Sequence, residues 1–169
     1  MKLRTATGQT HAPTLIVGIG NPIMGDDGVG VHVLRRLKES TLPRGDLEFK
    51  ELSVGGIKLV EEILDYKTVF IVDSTESPTS VGKINEFSPD KFNHTYHDSA
   101  PHALNFFTAL QLYKKLEPRR IPEEIRIFTI DIKSEFAFTE NLTPKIQTAA
   151  AQLTELLANE INRIHNRKV

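Results

Sequence analysis

The sequence predicts an α/β fold: a three-layer sandwich with a mainly parallel, twisted β-sheet between helices. Three observations carry this. Short apolar runs alternate with segments of helical periodicity along the chain. Two of those runs, Thr14 to Gly20 (TLIVGIG) and Thr68 to Ser74 (TVFIVDS), are apolar at successive positions. Both faces of such strands must be buried, as happens in a parallel sheet covered by helices on each side. No internal repeat, low-complexity tract or interdomain linker interrupts the alternation.

Taken in order, residues 1–13 read as a polar, flexible N-terminal tail, and residues 14–169 as a single α/β domain. After the first strand, Asp26 or Asp27 opens an amphipathic helix to about Glu39, with Val29, Val33, Leu34 and Leu37 on one face. Leu47 to Val54 reads as a strand ended by Gly55-Gly56, and Ile57 to Leu64 has helical spacing. Lys83 to Phe87 alternates and suits an edge strand. A polar, histidine-bearing loop spans Ser88 to Pro101. A helix follows to about Leu116, with Leu104, Phe107, Ala109 and Leu112 as its apolar candidates. Ile125 to Ile132 is a further strand. Thr143-Pro144 starts the last helix, proline being favoured at the first helical position. Its stripe is Ile146, Ala149, Ala150, Leu153 and Leu157.

Composition narrows the function. Lysine and arginine number 21 against 22 acidic residues, a net charge of -1, so no general attraction to nucleic acid or to an anionic membrane surface is expected. No run approaches the ~20 apolar residues that span a bilayer, and the polar first segment is not a secretory signal. The absence of cysteine rules out disulfides, thiolate metal sites and a cysteine nucleophile, and it fits a cytoplasmic protein.

In parallel sheets, ligands bind beyond the carboxyl ends of the strands. Three places there carry reactive side chains. Gly18 to Gly28 is a glycine-rich turn closing on Asp26-Asp27. One acid at a helix start is explained by capping, and we give that role to Asp26. Two exceed what a cap needs, which makes Asp27 the functional candidate. Asp73 is the polar residue at the end of an apolar strand, where a carboxylate needs a partner; a turn acid is the plain alternative. Among His94, His97 and His102, the last stands out because it follows Pro101 at the mouth of a helix. His97 beside Asp98 is a weaker rival. Two carboxylates and an imidazole suit a divalent transition ion and leave positions open for water or substrate. No Ser-His-Asp pattern emerges, although Ser74 and Ser99 stay open as nucleophiles.

Two glycine-loop readings fail. Gly18 and Gly20 are followed by Ile23 where a dinucleotide loop needs glycine, and two acids there would repel a pyrophosphate. Peptidyl-tRNA hydrolases share a strand followed by a G-N-P turn. Here Ile-Met-Gly-Asp-Asp comes next, so a hydrolase of that kind is only an alternative.

The segment VGIGNPIMGDDGVGVHVLRRL (Val17 to Leu37) resembles the opening of the hydrogenase maturation endopeptidases. TVFIVDS resembles that family's apolar strand ending in aspartate, and SAPHALN (Ser99 to Asn105) its histidine segment before a helix. The resemblance implies that Asp27, Asp73 and His102 form the metal-binding and catalytic set. It implies removal of the carboxy-terminal extension of a [NiFe] hydrogenase large-subunit precursor after nickel insertion. The nickel would be carried by the substrate, with zinc or cadmium as other occupants of the site. Asp27 stands where the family often has glutamate, and Ser53 to Ile57 replaces its D-G-G-T segment; both changes bear on substrate choice. The rival from another class is a non-catalytic, metal-dependent chaperone for the same precursor.

Overall fold

The computed structural model describes residues 3–4, 10–11, 14–41, 45–89, 101–133 and 138–166. Five strands form one sheet: β3 (Thr14–Ile19), β4 (Leu47–Leu52), β5 (Thr68–Glu76), β6 (Ile84–Phe87) and β7 (Glu124–Ile132). Their order is β4-β3-β5-β7-β6. The β3–β4, β3–β5 and β5–β7 pairs are parallel, and β6 closes one edge antiparallel to β7. Ahead of this sheet, the expected tail carries a two-residue ladder, β1 (Leu3–Arg4) against β2 (Thr10–His11).

The helices are α1 (Val29–Ser40), α2 (Gly56–Ile63), α3 (Pro101–Leu116) and α4 (Pro144–Asn166). The α/β sandwich expected from the sequence is the fold observed. Alternation along β5 shows how the layers are built. Phe70 and Val72 pack with Val29, Val33 and Leu37 of α1 and Ile146, Leu153 and Leu157 of α4. Val69 and Ile71 face the opposite way, into a core with Leu59, Val60 and Ile63 of α2 and Phe106 and Leu110 of α3. All five residues expected to form the α4 stripe are buried.

The α3 stripe differs from expectation. Phe106, Ala109 and Leu110 are buried, Phe107 is half-buried and Leu112 is exposed. Apolar residues occupy so many positions of this helix that more than one stripe satisfies the period, and docking against α2 decides between them. Leu104 lies outside the residues whose side chains are described.

At the amino ends of the strands, Arg120 clasps Asp65, with Nη2 2.9 Å from Oδ2, and the Asp65 amide donates to the Arg120 carbonyl. The opposite end is shaped by glycine. A Cβ on Gly18 would stand 2.5 Å from the Gly30 carbonyl oxygen and 2.8 Å from Leu34 Cβ. One on Gly30 would stand 2.9 Å from the Ile19 nitrogen and closer still to the carbonyl oxygens of Ile19 and Val72. The first turns of α1 therefore lie backbone to backbone on the ends of β3 and β5. Gly30→Ala should lower stability by about 1–3 kcal/mol, the cost of overpacking a close contact. Gly45→Ala, where nothing lies within 4 Å, is the matched control. Urea denaturation of both variants checks this; equal midpoints would refute it.

Candidate functional site

The chain leaves β3 toward β4 on one side through α1, and leaves β5 toward β6 and β7 on the other. The connections thus diverge around the carboxyl ends of β3 and β5, the place where doubly wound sheets open a crevice. Each side of that crevice supplies an acid.

Asp27 comes from the turn after β3. Gly20, at a φ of +136, lets the chain reverse; a side chain there would strike the Asp27 carbonyl. The acidic pair lies in a single 3-10 turn, Gly25–Gly28, rather than in the α-helix itself, which starts at Val29. Asp27 is half-buried. Its Oδ2 accepts the Asn21 amide at 3.0 Å, and its Oδ1 faces the Ser74 hydroxyl at 3.5 Å.

Asp73 comes from β5, and here the expected strand end moves. β5 continues through Glu76 because β7 pairs with it as far as Glu76↔Ile132, whereas pairing with β3 stops at Gly18↔Val72. Asp73 is therefore the first residue of β5 beyond its ladder with β3, and it borders the crevice without ending its strand. By alternation its side chain faces the α2 and α3 layer, as Val69 and Ile71 do. Ser74 faces α1. Ser74 also bridges the two acids, its amide donating to Asp73 Oδ1 at 2.8 Å and its hydroxyl directed to Asp27. Sequence reasoning leaves Ser74 only as an open nucleophile; the hydroxyl instead supports a carboxylate. Its position directly after Asp73 is the signal that points to it.

His102 is the second residue of α3, in the layer that Asp73 faces. Its side chain, with His94, His97, Asp98 and Ser99, lies outside the described residues. Among the described residues, no three histidine, aspartate or glutamate side chains gather as a metal-ligating group. One turn along from His102, Asn105 lies against Gly56, whose added Cβ would be 3.3 Å from Asn105 Cβ. The loop after β4 and the start of α3 are thereby brought together.

Asp26 has a structural role, though not that of a cap on its own helix. Neither the 3-10 turn nor α1 carries a side-chain cap bond. Its carboxylate instead accepts the Thr143 amide at 2.7 Å and the Thr143 hydroxyl at 2.8 Å, at the start of α4. The same loop is held by a parallel bridge, Met24↔Thr139. There the Thr139 amide donates to the Ile23 carbonyl at 3.0 Å and the Gly25 amide to the Thr139 carbonyl at 2.7 Å.

Residues 31–160 match the hydrogenase maturation protease family (HycI). The chain belongs to this family. A Methanocaldococcus jannaschii protein provisionally named a hydrogenase maturation protease is 33% identical over 81 residues, which span 46% of this chain and 51%, about half, of that relative. Among solved structures, the hydrogenase maturating endopeptidase HybD of E. coli superposes with a TM-score of 0.71 at 16% identity, over 89% of this chain and 92% of that one. The [NiFe] hydrogenase maturation protease HycI of Thermococcus kodakarensis KOD1 gives 0.65 at 24% identity, over 88% and 91%. At these identities the superpositions show a shared fold. In this chain Asp27 and Asp73 stand at the carboxyl ends of β3 and β5, the side on which doubly wound folds bind ligands.

The loop that carries Asp27 can be tested through two neighbours. Asp26→Ala removes both bonds to Thr143 and should cost about 1 kcal/mol of stability; an unchanged denaturation midpoint would contradict it. The other neighbour is His32 on α1. Its Nε2 is buried with no hydrogen-bond partner among the described residues. Burial, aided by the Arg35 and Arg36 guanidiniums, holds the imidazole below the ordinary histidine value; a hydrogen bond to the Glu140 backbone and the Glu140 charge oppose this. Because the folded-state pKa is depressed, the unfolded chain takes up the proton first as pH falls. Stability is full above the ordinary value of about 6.5 and declines as pH drops through the folded-state value. Denaturation midpoints between about pH 5 and 8 should show this slope, and His32→Gln should flatten it.

Proposed function

We propose that this protein is a cytoplasmic endopeptidase that trims the carboxy-terminal extension from the precursor of a [NiFe] hydrogenase large subunit once nickel has been inserted. One observation carries the reading: Asp27 and Asp73, distant in sequence, share Ser74 as a hydrogen-bonding neighbour at the crevice between β3 and β5. Family membership supports the reaction class, and the chain has no helix long and apolar enough to cross a membrane among its described residues.

Asp27 and Asp73, with His102 supplied by the first turn of α3, are the residues we assign to metal binding. The donor set fits a divalent ion. Each carboxylate offers about four lone-pair sites, enough to accept hydrogen bonds and to ligate an ion at the same time. A divalent ion in this position supplies Lewis-acid polarisation of the scissile carbonyl or an acidified water. The nickel borne by the precursor belongs to the substrate, and zinc or cadmium would satisfy the same donors.

The chain's own groups then divide the work. The Asn21 amide and the Ser74 hydroxyl orient Asp27, while the Ser74 amide orients Asp73. Whichever carboxylate is not fully engaged can accept a proton from the attacking water. Ser74, already directed to a carboxylate, acts by positioning, so the reaction proceeds without an acyl-enzyme.

Incubation of the purified protein with nickel-loaded precursor should shorten the large subunit, read by intact mass. Asp27→Asn, Asp73→Asn and His102→Ala should each reduce the rate by at least about 100-fold while leaving the fold unchanged. Full trimming by any two of them would overturn the site. A stable complex with precursor of unchanged mass would identify a chaperone instead.

A further inference from the structure

We propose that Phe138 and Ile23 form a docking point for an apolar stretch of the polypeptide substrate, beside the crevice that holds Asp27 and Asp73. This rests on the function proposed above and adds the place where substrate is recognised.

Phe138 is 90% exposed, more than any other large apolar residue described. Burying a phenyl ring is strongly favourable, so a ring left almost wholly in water contributes nothing to folding and is available to a partner. The segment bearing it is held in place. Through the Met24↔Thr139 bridge, the backbone next to Phe138 is hydrogen-bonded on both sides to the loop that carries the acids. In the register of that bridge, Phe138 stands beside Ile23, itself 49% exposed. Ile23 is two residues from Asn21, whose amide binds Asp27. The apolar pair and the catalytic carboxylate are therefore mounted on one hydrogen-bonded loop.

The turn from β4 into α2 adds a third apolar group at the carboxyl ends of the strands. Ile57 is 50% exposed and follows Gly56, whose left-handed conformation seats this loop against Asn105 of α3. Apolar groups near polar reacting residues are the usual composition of a site that grips a peptide and orients its scissile bond. The chemistry to be recognised is an unpaired, apolar side chain of an extended segment, with an aromatic anchor on the enzyme.

The experiment uses the full chain and nickel-loaded precursor. Trimming is followed by mass at several precursor concentrations, for wild type, Phe138→Ser and the conservative Phe138→Leu. Equilibrium binding of labelled precursor is measured in parallel, and sedimentation gives the oligomeric state. Phe138→Ser should raise KM on the order of tenfold with kcat nearly unchanged, as expected for loss of binding common to ground and transition states. Phe138→Leu should restore most of the loss. Denaturation midpoints should be equal, because the ring is outside the core.

An unchanged KM in Phe138→Ser with normal wild-type trimming overturns the docking point and leaves the proposed function standing. Binding by wild type without trimming, weakened in Phe138→Ser, overturns the protease reading and upholds the docking point. Neither binding nor trimming by wild type overturns both. A self-associating wild type made monomeric by Phe138→Ser, with KM unchanged, assigns the patch to contact between copies and overturns the proposal.

Discussion

Between α1 and the ends of β3 and β5, two backbones touch with nothing in between. Gly18 and Gly30 make this possible, since a methyl group at either would be driven into a carbonyl oxygen of the opposite element. The approach is what brings Asp27, just ahead of α1, to Ser74 on β5. At an ordinary helix-to-sheet spacing, set by interposed side chains, that carboxylate would stand back from the strand. The glycine-rich turn is thus a spacing device before it is anything chemical, and its resemblance to a nucleotide-binding loop reflects the same need for close packing.

Much of this arrangement is legible in the sequence where a local rule suffices. Strands apolar on both faces indicate a parallel sheet, and the single acid that follows the apolar run of β5 draws attention to Asp73. The departures share one cause, which is that the deciding partner is distant along the chain. β5 runs beyond Asp73 because β7 continues beside it while β3 does not. Asp26 bonds Thr143, a residue 117 positions away, and so a capping rule applied to its own helix misplaces its role. On α3 the period alone does not choose Phe106 and Leu110 over Phe107 and Leu112. Ser74 gains its role only when a third element arrives to face it.

Asp27 and Asp73 reach Ser74 from different elements, and folding must fix where each carboxylate stands. Hydrogen bonds from the Asn21 amide and from the amide and hydroxyl of Ser74 do part of that work. Amide donors suit a ligand-holding site because they are fixed by the backbone and cannot rotate away. In the proposed reading, a cation held by both acids adds a further tie between these elements. The protein then gains stability on binding as well as activity.

The clasp of Asp26 on Thr143 has a consequence for the order in which the molecule is made. The loop containing Asp27 is synthesised early, but its tethers, Thr139 and Thr143, lie at the threshold of α4. A nascent chain emerging from the ribosome carries both acids long before it carries the means to lock that loop. That loop gains its anchorage only when α4 has been translated and packed, so in a partly synthesised chain Asp27 is not yet fixed in place.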